Sequence, residues 1–117
     1  MNIIKKALVL PREEYYKKHL LIINYILPVQ MTVKEAEVLA AFMSLTGDIQ
    51  QDPFGTSGRK IVREKVGISS GGLGNYLDQL KEKELIYEEN GKLQISRVLI
   101  PDPQEQGYQF KLLVKDE

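Results

Sequence analysis

The chain has no cysteine, a single histidine, no surplus of either charge and no long apolar run. Each absence excludes something. Without cysteine there is no disulfide framework and no thiolate zinc site. One histidine, His19, cannot build a histidine metal cluster, and nothing around it suggests the partners of a Ser-His-Asp triad. The adjacent acidic pairs Glu13-Glu14 and Glu88-Glu89 diverge in direction and make poor catalytic dyads. No catalytic residue, metal or cofactor is therefore expected, and the chain reads as a non-enzyme. No segment approaches the roughly 18 apolar residues that a membrane helix needs. The greasiest stretch, Leu20–Val29, is interrupted by Asn24 and Pro28. The opening MNIIKKALVLPREE lacks the apolar length and cleavage site of a signal peptide. The expectation is a protein without membrane contact, cytoplasmic or carried in a particle assembled in a cytoplasm. The balance of 16 Lys+Arg against 16 Asp+Glu argues against strong, sequence-blind binding to nucleic acid, which relies on a surplus of cations to hold phosphates.

What is present fits one domain. At 117 residues, 43% hydrophobic and 27% charged, the chain can bury a core without staples. Its charge is uneven. Residues 1–20 set Lys5, Lys6, Arg12, Lys17 and Lys18 against Glu13 and Glu14, whereas residues 32–54 set Lys34 against Glu35, Glu37, Asp48 and Asp52. Residues 3–10 (IIKKALVL) suit a strand ended by Pro11. From Glu13 to Leu27, Tyr16, Leu20, Ile23 and Leu27 recur on one helical face, and Pro28 stops the helix. Thr32-Val33-Lys34-Glu35 is a capping box opening a helix to about Leu45, with Ala36, Leu39, Ala40 and Met43 as its buried stripe. Residues 47–56 are turn-rich and predicted to be a loop, and Ser57 is a candidate cap for the next helix. Residues 55–60 (GTSGRK) lack the glycine and lysine spacing of a phosphate loop.

The stretch from Arg59 to Ile95 is the most informative. Ile61, Val62 and Val66 line a short helix ended by Gly67, Ile68 plugs the core at the turn, and Ser69 or Ser70 caps a second helix running to about Lys83. Leu73, Leu77 and Leu80 form its buried face. Asn90-Gly91, between Ile86-Tyr87 and Leu93-Gln94-Ile95, is a strong hairpin signal. Val98–Ile100 extends the second strand, and Tyr108–Val114 reads as a last one. On these residues, 32–95 resembles a winged helix-turn-helix domain of the kind found in bacterial and phage regulators, with no subfamily identified. Glu84 stands where such domains usually carry a glycine. The expected fold is α+β. It has a motif core at 32–99, a strand and helix in 1–31, and a C-terminal strand within 104–117, all in one domain.

The resemblance implies double-stranded DNA as partner and transcriptional regulation as role, with the second helix of the motif entering the major groove. Carried over, its reading end is Ser69, Ser70, Gly71, Gly72, Gly74, Asn75 and Tyr76, with Arg59, Lys60 and Arg63 on the preceding helix and Lys92 on the wing meeting the phosphate backbone. Asn75 suits an adenine edge, and the serines with the helix N-terminus suit a phosphate. The reading helix has no Arg or Lys before Lys81, so the common arginine–guanine contact is missing. Three glycines near its start predict a frayed end. The alternative reading is a winged helix serving as a protein-interaction module, such as a polymerase-associated factor or a phage structural or accessory protein. Helix-turn-helix proteins commonly read paired half-sites, so a homodimer is expected, with Leu20–Val29 as its surface.

Overall fold

A computed structural model describes residues 2–116. Four helices, α1 (Arg12–Ile23), α2 (Val33–Met43), α3 (Thr56–Val66) and α4 (Ser70–Glu82), precede one antiparallel hairpin of β1 (Ile86–Glu89) and β2 (Lys92–Ile95). Short 3₁₀ turns occupy Asn24–Ile26, Gly47–Gln51 and Arg97–Leu99. The result is a small α+β domain whose element order is compatible with a winged helix.

The core is built around α2. A helix that is apolar over most of its circumference has to be largely surrounded, and Ala36, Val38, Leu39, Ala40, Ala41 and Phe42 are all buried while Lys34 and Glu37 keep to the partly exposed side. Helices α1, α3 and α4 pack against it. From α1 come Tyr16, Leu20 and Ile23, from α3 Val62, and from α4 Leu73, Leu77 and Leu80. The loop before α3 contributes Phe54, whose ring lies 4.5 Å from that of Phe42.

The helix ends follow local chemistry. Thr32 Oγ1 accepts from the Glu35 N–H at 3.1 Å, and Glu35 Oε1 accepts from the Thr32 N–H at 2.7 Å, which completes the capping box. Helix α1 is shorter than its apolar stripe suggested. It tightens into the 3₁₀ turn after Ile23, and Leu27, forced extended by Pro28, has ψ of 139°. Asn24 then clamps the connection, its side-chain amide donating to Met31 O and accepting from Met31 N. Ser57 lies inside α3 and does not cap it, since the residue before the helix is Gly55. Gly58 sits so close to the preceding loop that a Cβ would fall 1.8 Å from the Pro53 carbonyl oxygen. That glycine serves helix packing and no phosphate cradle.

Helix α4 ends in a Schellman motif. The Leu85 N–H donates to Leu80 O and the Glu84 N–H to Lys81 O, while Leu80 and Leu85 are both buried. Glu84 takes the left-handed conformation, φ 59°, at the position where a glycine is usual. The hairpin turns at Asn90 (φ 54°) and Gly91 (φ 78°) in register Ile86↔Ile95 and Glu89↔Lys92.

Three expected strand features are absent. Residues 3–10 and 108–114 form neither helix nor strand and join no ladder, so neither expected terminal strand is present among the described residues. A strand needs a hydrogen-bonded neighbour, and among the described residues β1 and β2 pair only with each other. Val98–Ile100 does not prolong β2, because the 3₁₀ turn of Arg97–Leu99 swings Leu99 into the core.

Candidate functional site

The site suggested by the resemblance centres on the start of α4. Gly67, with φ 74°, closes α3, and its N–H and that of Ile68 both donate to Arg63 O. Ile68 packs against the core at the turn between the helices. Ser69 then caps α4, its Oγ accepting from the Gly72 N–H at 3.0 Å. This cap holds the glycine-rich end helical from Ser70 onward, against the expectation of fraying.

The three glycines of α4 have different roles. A Cβ on Gly72 would lie 3.2 Å from Ser69 Oγ, so this glycine clears the cap and its N–H is already used. Gly71 and Gly74 face open space, where a Cβ would meet nothing within 4 Å. Packing within the chain therefore demands neither of them. Asn75 lies four residues from Gly71 on the same helical face and is exposed, as are Asp78 and Glu82 further along. Tyr76 turns the other way. It is half-buried and packs against the core beside Leu73, Leu77 and Leu80, so less of it is exposed than of Asn75. Ser70 is exposed in the first turn.

The cations expected at the phosphate backbone also divide. Lys60 and Arg63, three residues apart on α3, share a face and enter no ion pair among the described residues. Arg59 is committed internally, its Nε donating to Phe54 O at 2.6 Å. Lys92 stands opposite Glu89 at the first paired position of the hairpin, where an acidic neighbour offsets its charge. The surface that results is mildly cationic on α3 and neutral to acidic along α4.

Two polar clusters that the sequence did not disclose hold this frame. The capping-box Glu35 is 1% exposed and also meets Lys83 at the end of α4. Lys83 Nζ donates to Glu35 Oε1 and, at 3.0 Å, to Gln30 O. Burial raises the carboxyl's proton affinity, but the Lys83 ammonium and the Thr32 N–H outweigh it, so the pKa falls below its ordinary value. Lys83 is thus part of the frame, whereas its neighbours Lys81, Glu82 and Glu84 are exposed.

The second cluster is on α1. His19 is buried, its Nε2 2.9 Å from Leu99 O and its Nδ1 at the Tyr108 hydroxyl. A carbonyl only accepts, so the proton is on Nε2, and Nδ1 of the neutral ring accepts from Tyr108. Burial lowers the histidine's pKa, partly opposed by the bond to Leu99. With the Tyr15 hydroxyl donating to Asp102 O, this cluster pins residues 99–108 along α1. The expected dimer surface fares less well. Within Leu20–Val29, Leu20 and Ile23 are core, Leu21 and Leu27 pack against it, and only Tyr25, Ile26 and Val29 are exposed large apolar residues.

Among the described residues no group of three or more His, Asp or Glu side chains converges as a metal site, and no helix is long and apolar enough to cross a membrane. No protein-family model, no curated protein and no solved structure matches the chain.

Proposed function

We propose that the chain is a winged-helix protein that binds double-stranded DNA through the N-terminal turns of α4 and acts as a regulator. The observation that carries this is the pair Gly71 and Gly74. Glycine in a helix interior, where Gly74 lies, costs about 1 kcal/mol against alanine, and Gly71 in the first turn costs less. Here the space around both is open, so the cost brings no gain within the molecule. It makes sense if a partner's backbone must come close to the helix. Beside this bare turn lie the exposed Ser70 and Asn75, able to meet a phosphate and a base edge, and α3 brings Lys60 and Arg63 for neighbouring phosphates.

A second reading has its own support. The exposed face of α4 continues into Asp78 and Glu82 and carries no cation before Lys81, which suits a protein surface. Fluorescence anisotropy with labelled duplex at low salt separates the two. DNA binding is expected to be tighter than about 10⁻⁴ M, the weak end of non-specific affinity, and to weaken in Lys60→Glu and Arg63→Glu. Absence of binding at that level, with a protein partner that stays bound after nuclease treatment, would establish the interaction module instead.

A further inference from the structure

Residues 2–10 and 108–116 form neither helix nor strand, are unpaired and are rich in exposed apolar side chains. In the first arm, residues 2–10, Ile3, Ile4, Leu8 and Val9 are exposed, and in the second, residues 108–116, so are Phe110, Leu112, Leu113 and Val114. Ile4, Val9 and Leu112 are 96%, 98% and 97% exposed. From Tyr108 to Val114, Tyr108, Phe110, Leu112 and Val114 alternate with Gln109, Lys111 and Leu113, largely the two-residue period of a strand. Yet no backbone group of either arm joins a ladder among the described residues. Extended apolar chain with free N–H and C=O groups is a template for strand addition. The arms reach the same flank of the molecule, where Leu8 and Leu10 of one and Tyr108 of the other, with Gly107 just before it, border a groove with Tyr15 and Ile22 of α1.

We infer that the arms are exchanged between two copies of this chain, the first arm of one pairing with the second arm of the other in a closed dimer. Area supports it. Burying these eight side chains would remove roughly 60–120 Å² each at about 25 cal/mol per Å², or roughly 500–1,000 Å² per copy, comparable to the about 800 Å² per partner of a stable interface. Charge disfavours one alternative. The first arm carries Lys5 and Lys6 and no acid, so two first arms repel, whereas the sequence from residue 108 on sets Lys111 and Lys115 against Asp116 and Glu117 and balances. Symmetry selects the partner. A two-fold operation covers both arms of both copies at once, and a single foreign strand covers one.

Sedimentation equilibrium on the full chain is expected to give twice the 13.4 kDa chain mass at micromolar concentration. Val9→Asp and Leu112→Asp should each return the single-chain mass with the helical circular dichroism unchanged, since both side chains lie outside the core. Because the chain lacks cysteine, Leu8→Cys and Leu112→Cys variants carrying different tags can be mixed and oxidised. The mixed disulfide should exceed either self-disulfide. A wild-type chain that stays monomeric at high micromolar concentration, a dimer indifferent to both aspartates, or predominance of self-disulfides would each overturn the exchange. None of these results bears on whether DNA is bound.

Discussion

Single residues carry more of the stability here than their neighbourhoods in sequence suggest. Glu35 has two roles, closing the capping box at the start of α2 and receiving Lys83 from the end of α4. Breaking a buried ion pair from one side leaves the other charge without a partner. Lys83→Ala is therefore expected to cost about 2–3 kcal/mol in chemical denaturation. Glu35→Gln combined with Lys83→Ala should recover part of that loss. The pH dependence has a definite sign. The folded carboxyl's pKa is depressed, so its stabilisation is present above the ordinary glutamate value of about 4.3 and is lost as pH falls through the folded value. Thermal unfolding in acid should lose this component in Glu35→Gln. Thr32-x-x-Glu35 was legible because a capping box spans four residues. The Lys83 contact was not, because 48 residues separate it from Glu35 and only the folded chain brings them together.

Among the elements, the helix ends decide the geometry, and most of them follow from local pattern. Gly67, Ser69 and Asn90-Gly91 perform the roles their identities suggested, since each acts on backbone within a few residues. Glu84 departs from the pattern of the fold it resembles. Its backbone adopts the left-handed form without the residue that does so freely, at a cost of about 1 kcal/mol. Glu84→Gly is expected to raise the unfolding free energy by up to about that amount, with the Leu80–Leu85 contact unchanged. A calorimetric midpoint below that of the parent chain would contradict the Schellman assignment. Tyr76 combines a carried-over surface role with core packing. Its spacing from Leu73 and Leu80 already placed it beside the apolar stripe, and there it packs. The terminal segments fail differently. The alternation in residues 108–114 has the period of a strand, but a ladder is a property of two segments, and among the described residues neither arm is paired.

At the scale of the molecule, α1 joins the motif core to the C-terminal arm, with His19 as the joint. Sequence distance hid this too, since Tyr108 is 89 residues away. Because burial holds the folded histidine's pKa below that of the unfolded chain, unfolding takes up a proton between the two values. The stabilisation is complete above the unfolded value of about 6.5 and declines as pH falls below it. Denaturant midpoints should drop on acidification from neutral pH toward the folded value, and this part of the slope should vanish in His19→Gln. Tyr108→Phe, which removes only the hydroxyl bond, should cost about 1 kcal/mol. The core can bear such losses, because α2 and its surrounding helices hold most of the buried apolar side chains. The outer face of α4 is separate from that core, and Gly74 lies there with open space around it. The most direct test of the DNA reading is therefore Gly74→Leu, measured for both thermal midpoint and anisotropy of a labelled duplex. The expected result is an equal or higher midpoint, since leucine is the better helix former, together with lost DNA affinity. Unchanged affinity at full stability would contradict it.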